Sequence, residues 1–368
     1  LAAAPVGATA AAGRLRASRR SRAAPGRRTA AACSLGQQDP SAAPVPASQG
    51  PAPVVQHEAV IAGGGLGGLA ACIALRSRGI DAHIYEAAPS LLRGSTGTGI
   101  MISANGFSAL ESFEPRLAER LREAGTRITR QAITVGQPDG TVLREIDFDS
   151  TVWEETYGHC QYNIRWSVVQ EILSEFVPPE CVHTGASVIG YGASGGDVAV
   201  TFRERESPVY AKLVVGADGV RSSVRRLVAE EEWTLRHTGQ VLWNALVKRE
   251  DVSLDVCPEG EVRFLNCGTD GRSFLCFDAA DGYLSWYLTC MEGDLEGLGH
   301  EVSGGFGRPG VVRTLRELFA PWGDVQAVLD ATPEEGVFER RLYDRLPLDS
   351  WSDWEGAGGR GTLLGDAA

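Results

Sequence analysis

The sequence predicts an α/β fold: a parallel sheet covered by helices, into which an antiparallel sheet is inserted. Three observations predict it. Residues 59–86 read as strand, glycine-rich turn, helix and second strand. Two later apolar strands run into the glycine–acid turns Gly216-Ala217-Asp218-Gly219 and Gly365-Asp366. Between those turns, residues 239–291 hold four short apolar runs separated by Gly-rich and Asp-Gly turns, the pattern of an antiparallel sheet.

In the first unit Val60-Ile61 lead into Gly63-Gly64-Gly65-Leu66-Gly67-Gly68, so Gly63, Gly65 and Gly68 stand at G-x-G-x-x-G spacing. The first glycine permits a tight turn, and the second lets a pyrophosphate approach the backbone. The third lets the helix lie close to the strand. A helix starting near Leu66, with Gly67 in its first turn, aims free N–H groups and its positive end at that phosphate. Glu86 closes the second strand, where its carboxylate can accept from a ribose 2′-OH. That acid favours the unphosphorylated ribose of FAD or NAD over NADP.

Further along, Phe107, Leu110, Phe113, Leu117 and Leu121 share one face of a helix expected over 105–125. Residues 132–148 read as strands around the turn Pro138-Asp139-Gly140, and 168–176 as a short helix. Val198, Val200 and Phe202 alternate with polar residues, and 209–215 follows as the second arm of a hairpin. The four apolar runs are 241–247, 262–265, 273–277 and 283–290. On the last, Tyr283, Ser285, Tyr287 and Thr289 share one face, and Leu284, Trp286, Leu288 and Cys290 the other. Alternation does not say which face meets a cavity. Residues 311–329 return to helix. At the second glycine–acid turn Ser222 is placed to cap a helix. Each such turn sets a carboxylate, Asp218 or Asp366, at the carboxyl end of a buried strand, where α/β folds gather ligand groups.

Composition narrows the function classes. The 368 residues suffice for one large or two ordinary domains. Residues 1–57 carry seven arginines and one acid, which leaves −18 of the net −12 on the remainder. Such an Arg- and Ser-rich, acid-poor segment matches an organelle transit peptide, plastid or mitochondrial, with cleavage near 31–33. A basic disordered tail is the alternative. The acidic body argues against nucleic acid as a partner. No apolar run approaches the ~20 residues of a spanning helix, which leaves peripheral membrane contact open. The eight cysteines form no C-x-x-C pair and no zinc-spaced Cys/His cluster, so no metal is expected. Cys72, Cys276 and Cys290 read as core thiols. His83, His159, His183, His237 and His300 read as isolated structural or surface residues. The sequence shows no Ser-His-Asp arrangement.

Taken in order and spacing, the three motifs resemble the FAD-dependent aromatic-hydroxylase class (group A) of flavoprotein monooxygenases, from about His57 to the last residue. The resemblance implies a Rossmann-like FAD-binding fold carrying an inserted substrate sheet. It implies that Gly63, Gly65, Gly68 and Glu86 hold the ADP half of FAD. Asp218 and Gly219, with Ser222 and Arg225, match the motif near the pyrophosphate that is implicated in NAD(P)H handling. Gly365 and Asp366 match the motif at the ribityl chain. Arg93 and Arg165 match FAD-lining arginines.

Leu318-Phe319-Ala320-Pro321-Trp322, Ala331-Thr332-Pro333-Glu334-Glu335, Arg340-Arg341-Leu342-Tyr343-Asp344-Arg345 and Trp286-Tyr287 are similar to plastid zeaxanthin epoxidases. Cys72 replaces a customary Ala, and Gly97-Thr98-Gly99-Ile100 follows the broader hydroxylase pattern. The layout implied is 1–57 transit or disordered, 58–235 FAD-binding with a β excursion near 130–160, 236–330 substrate sheet, and 331–368 a return to the FAD-binding part. The family continues past Asp366 with a His and a Gly-Gln-Gly loop along the flavin ring, so a truncated ring pocket is expected. By resemblance the activity is NAD(P)H-dependent insertion of one atom of O2 into an apolar organic molecule through a flavin C4a-hydroperoxide. A flavin reductase or dehydrogenase, or an inactive FAD-fold binding protein, are the alternatives. The oligomeric state stays open.

Overall fold

The computed structural model describes residues 55–92, 98–229, 235–267, 271–353 and 360–368. Residues 1–54 of the expected transit segment, Cys33 among them, and Arg93 lie outside the described residues, whereas its last residues, Gln56 and His57, already pair in β1 with β11. The chain begins β1 (Gln56–Ala62), α1 (Leu66–Arg76), β2 (Ala82–Glu86), the predicted βαβ unit with parallel strands. It continues through β3 (Gly99–Ile102), α2 (Ala104–Phe113), α3 (Pro115–Glu123), β4 (Thr126–Ile128), β5 (Arg130–Gly136) and β6 (Val142–Asp149). Next come α4 (Val152–Tyr157), β7 (Gln161–Arg165), α5 (Trp166–Glu175), β8 (Val182–Thr184), β9 (Val188–Ser194), β10 (Asp197–Phe202), β11 (Val209–Gly216) and α6 (Ser223–Val228). The last stretch holds β12 (Arg236–Lys248), β13 (Glu261–Asn266), β14 (Ser273–Asp278), β15 (Tyr283–Met291), β16 (Gly305–Phe306), α7 (Val311–Leu318), α8 (Gly323–Asp330), β17 (Phe338–Asp344) and β18 (Gly361–Leu363).

Among the described residues the first sheet runs β8-β2-β1-β11-β10-β9. β11 changes neighbour along its length: its first half pairs antiparallel with β10, and its last three residues pair parallel with β18. Strand alternation divides its side chains between two cores. Ala59, Ile61, Ile84 and Val215 pack under α1, α2, α3 and α5, meeting Leu69, Phe107, Leu117 and Ile172. Val60, Ala62, Tyr85 and Val214 face the other way, toward Val198, Val200, Phe202 and Leu363. At ~25 cal/mol per Å² of apolar surface, burying this many large side chains on both faces is what holds the sheet rigid.

The second sheet runs β16-β17-β12-β15-β14-β13-β5-β6, and a small sheet β3-β7-β4 lies apart from it. The four predicted runs are its antiparallel centre. Trp243, Trp286, Leu288 and Cys290 turn toward α7 and α8 and bury against Leu315, Phe319 and Val328. The opposite face of β15 therefore looks at the first part of the chain: the Ser285 hydroxyl accepts from Gly99 N–H at 2.9 Å, and Tyr287 Oη donates to Gly99 O at 2.5 Å.

Four expectations need correction. The helix expected over 105–125 is two helices, because Pro115 has no N–H to give and Glu114 leaves helical geometry at φ −151°. The helix expected over 311–329 likewise breaks before α8, at Pro321-Trp322. The β excursion near 130–160 is no part of the first sheet, since β5 pairs parallel with β13. The chain rejoins the first sheet at Gly361 rather than at 331, because β17 pairs with β12.

Candidate cofactor-binding site

The three glycines behave differently. Gly63 sits at φ +103°, and a Cβ there would meet Ala217 O at 2.4 Å. A Cβ on Gly68 would stand 2.0 Å from Gly63 O, so helix and strand touch backbone to backbone. A Cβ on Gly65 would meet no protein atom within 4 Å, since that position opens into a cleft. Gly65 is also the N-cap of α1, which has neither a side-chain cap nor an acid in its first turn. The positive end of α1, with Leu66 and Gly67 in its first turn, thus points into open space ready for an anion.

Neighbouring strands end in register around this turn. Tyr85 stands beside Ala62, Ala62 beside Gly216, and Gly216 beside Leu363. Each strand delivers one motif at its carboxyl end. Beyond β2, Glu86 is 5 % exposed; its Oε2 accepts from Gly64 N–H at 2.7 Å and its Oε1 from Ala88 N–H at 2.8 Å. The acid therefore braces the turn as well as facing the cleft. Beyond β11, Asp218 Oδ2 accepts from Ser223 N–H at 2.7 Å, and Gly219 takes φ +75°. Ser222 caps α6 as expected, accepting from Arg225 N–H at 2.8 Å. Beyond β18, Gly365 and Asp366 form an exposed turn with Gly365 at φ +61°.

Gly63, Gly65, Glu86, Asp218 and Gly219 line one cleft of about 390 Å³. Asp218 Oδ1 is buried with no hydrogen-bond partner among the described residues. A carboxylate oxygen can only accept, so it suits a sugar hydroxyl or a water and repels a phosphate. An anion seat at Gly65 beside hydroxyl acceptors at Glu86 and Asp218 fits an adenosine diphosphate unit. Arg203 and Arg221 also line the cleft. Sequence reasoning assigned neither; Arg221, two residues after Gly219, carried the only available signal.

Other expected residues lie elsewhere. Arg225 is 3 % exposed and donates to the carbonyls of Leu346 and Ala368, tying α6 to the end of the chain. Arg165 does not line the cleft: its guanidinium pairs with Asp281 and lies 5.0 Å over the Tyr283 ring, in a separate pocket of about 710 Å³. The histidines need a further correction, because His57, His83 and His183 come together on adjacent strands. Their separation in sequence hid this; the register of β1, β2 and β8 creates it.

A parallel sheet whose aligned strand ends carry a glycine turn, a helix N-terminus and two acids defines a Rossmann-like dinucleotide-binding protein. The chain belongs to the FAD binding domain family, whose model matches residues 56–286. FAD is therefore its cofactor. It is similar to "Zeaxanthin epoxidase, chloroplastic" of Spinacia oleracea, 29% identical over 324 residues, covering 86% of this chain and 45% of that protein. It is also similar to the aurachin C monooxygenase/isomerase of Stigmatella aurantiaca, 28% identical over 311 residues and covering 84% and 73%. The chain spans less than half the length of the plant relatives. Among solved structures, Klebsiella pneumoniae HpxO complexed with FAD and uric acid matches with a TM-score of 0.69 at 22% identity, covering 85% of this chain and 73% of that one. The 2,6-dihydroxypyridine-3-hydroxylase of Arthrobacter nicotinovorans matches with a TM-score of 0.64 at 19% identity, covering 85% and 77%. These last two likenesses are of fold.

Proposed function

We propose that this chain is the cofactor- and substrate-facing part of an FAD-dependent, NAD(P)H-using monooxygenase that inserts one oxygen atom from O2 into an apolar organic molecule. The observation that carries the reading is the in-register ending of three strands that bear the motifs, with the Gly63–Glu86 and Asp218-Gly219 motifs lining one cleft, beside a second sheet whose polar face turns toward Gly99. The named relatives, a zeaxanthin epoxidase and an aurachin C monooxygenase, support oxygenation of large apolar molecules, by epoxidation or hydroxylation. The chloroplastic relatives and the basic residues 1–57 support a plastid location.

When bound, FAD supplies the redox and oxygen chemistry. The chain's part is to bind, orient and exclude water. Gly63, Gly65, Leu66, Gly67 and Gly68 present the turn and α1 to the pyrophosphate; Glu86 accepts from the adenosine ribose. Asp218 Oδ1 accepts from a hydroxyl of the cofactor, with Gly219 beside it and Arg221 at the mouth, and Gly365 and Asp366 meet the ribityl chain. Arg93 and Arg165 are assigned to FAD on the resemblance alone.

Toward the substrate, Asn244 Nδ2 donates to Thr98 Oγ1 at 3.1 Å, and that hydroxyl meets Tyr287 Oη at 2.5 Å. Tyr287 in turn donates to Gly99 O, so one relay orients all three side chains. Asn244 Oδ1 is buried with no hydrogen-bond partner among the described residues. The surrounding Leu246, Leu275 and Phe277 are apolar and keep water out.

The test is a reaction of the protein with FAD, NADPH, 18O2 and a panel of carotenoids and phenols, read by product mass. A product heavier by one labelled oxygen is expected. NADPH oxidation that yields only peroxide makes the protein a reductase, and no FAD binding at all overturns the reading.

A further inference from the structure

We propose that His57, His83 and His183 together bind one divalent transition-metal ion, of which Zn2+ best suits the donors, at the edge of the parallel sheet. This does not rest on the oxygenase reading. The three residues come from β1, β2 and β8, which lie side by side. One ring nitrogen from each can be chosen so that all lie within 4.8 Å of one another. His83 Nδ1 and His183 Nε2 are 3.0 Å apart. A tetrahedral ion with bonds of about 2.0–2.1 Å holds its nitrogens about 3.4 Å apart, so binding spreads the His83–His183 pair slightly and must turn the His57 ring out of its stack on His83, where the ring centroids lie 3.6 Å apart.

Asp81 makes this more than a chance meeting of rings. Its Oδ2 lies 3.1 Å from His57 Nδ1 and its Oδ1 lies 3.1 Å from His83 Nε2. A carboxylate only accepts, so the network assigns the protons to those two nitrogens. The lone pairs are then on His57 Nε2 and His83 Nδ1. Both already accept hydrogen bonds, His83 Nδ1 from His183 Nε2–H at 3.0 Å and His57 Nε2 from Tyr85 Oη at 3.2 Å, so an ion replaces these two bonds and shifts the His183 proton to its other nitrogen. One carboxylate orienting imidazoles through their far nitrogens is the usual outer partner of histidine metal ligands.

The charged groups around the cluster are Asp81, Arg76, whose Nη1 sits 3.1 Å from Asp81 Oδ1, and Arg205 near His183. The His57 and His83 side chains are 10 % and 13 % exposed, so an ion has an entry path and a largely dry seat. Three imidazoles suit Zn2+, Cu2+ and Ni2+ over Mg2+ or Ca2+. The fourth position is left for water or for Tyr85. An ion here would tie three strands together three residues before Glu86. Its role is then structural, stabilising the cleft by binding only the folded state.

The test uses the untagged full chain, stripped with a chelator, incubated with Zn2+, desalted and analysed for metal. About one zinc per chain is expected, with a higher Tm than the stripped protein. His83→Ala and His183→Ala should each lose the zinc while keeping circular dichroism and FAD content. Asp81→Asn keeps all three ligands and should weaken zinc binding roughly 10–100-fold. If an alanine variant does not fold, Co2+ loaded on the unaltered chain reads the same site through its tetrahedral visible bands. Wild-type protein that retains no zinc and gives no cobalt bands, or a His83→Ala/His183→Ala protein that retains zinc undiminished, overturns the proposal.

Discussion

Leu364 closes over Gly67: a Cβ placed on that glycine would come within 2.8 Å of Leu364 Cδ1. The contact joins the first glycine turn to the last strand. It exists because Leu364 N–H donates to Gly216 O at 2.9 Å, which holds β18 against β11. The glycine turn is thus packed against a segment from the far end of the described chain, and each of its glycines can be tested separately.

Gly65→Ala and Gly68→Ala should separate cofactor binding from folding. A methyl on Gly65 meets no protein atom, so its stability cost is that of an alanine N-cap, about 1 kcal/mol or less. Its methyl nevertheless occupies the space offered to the pyrophosphate, and FAD retention should fall at least tenfold. A methyl on Gly68 collides with the Gly63 carbonyl and should cost about 3 kcal/mol or more. Denaturant melts and flavin titration of both variants check this; equal stability loss in the two contradicts it.

Glu86→Ala removes the acceptor for two backbone N–H groups in a residue 5 % exposed. Stability should drop by about 1–3 kcal/mol, the cost of buried donors left unsatisfied. Flavin affinity should fall as well. An unchanged flavin content at full folding would remove Glu86 from the site.

Glu339 is fully buried and gathers Trp243 Nε1 at 2.9 Å, His300 Nε2, and the N–H groups of Ser303 and Gly304. Burial alone would raise its carboxyl, but these donors bring it below the ordinary 4.5. A depressed folded value means the stabilisation is complete above pH about 4.5 and is lost as pH falls through the lower folded value. Glu339→Ala should cost about 1–3 kcal/mol at pH 7, the cost of leaving buried donors unsatisfied. The gap between variant and wild type should narrow on acidification below pH 4.5, measured by urea melts across pH. A pH-independent gap would refute the charged network.

Cys72 is fully buried, and burial pushes its thiol up to about 12. The thiolate is the reacting species, so Cys72 should resist iodoacetamide at pH 8 in the native protein and label in 6 M guanidinium. Peptide mass mapping reads the outcome, and native labelling at Cys72 would place it at a mobile surface instead.

Legibility in the sequence followed the range of the interaction. Gly63, Gly65 and Gly68 were readable because the turn, the helix start and the close packing all involve neighbours in the chain. The four runs of the second sheet were readable because strand alternation is local. The breaks at Pro115 and Pro321 were written in the sequence too, since a proline cannot donate within a helix. The hydrophobic periodicity running across them concealed the signal.

By itself, the sequence determined the βαβ unit, the capped turns and the acids that end each strand, since these depend on backbone preference and on contacts a few residues away. Tertiary structure alone decided the register that sets Tyr85, Ala62, Gly216 and Leu363 side by side. It also decided the parallel pairing of β5 with β13, the direction in which Tyr287 points, and the meeting of His57, His83 and His183, the first two of them bonded to Asp81. Those outcomes rest on which strands become neighbours, and that is settled by burying both faces of the sheets at once.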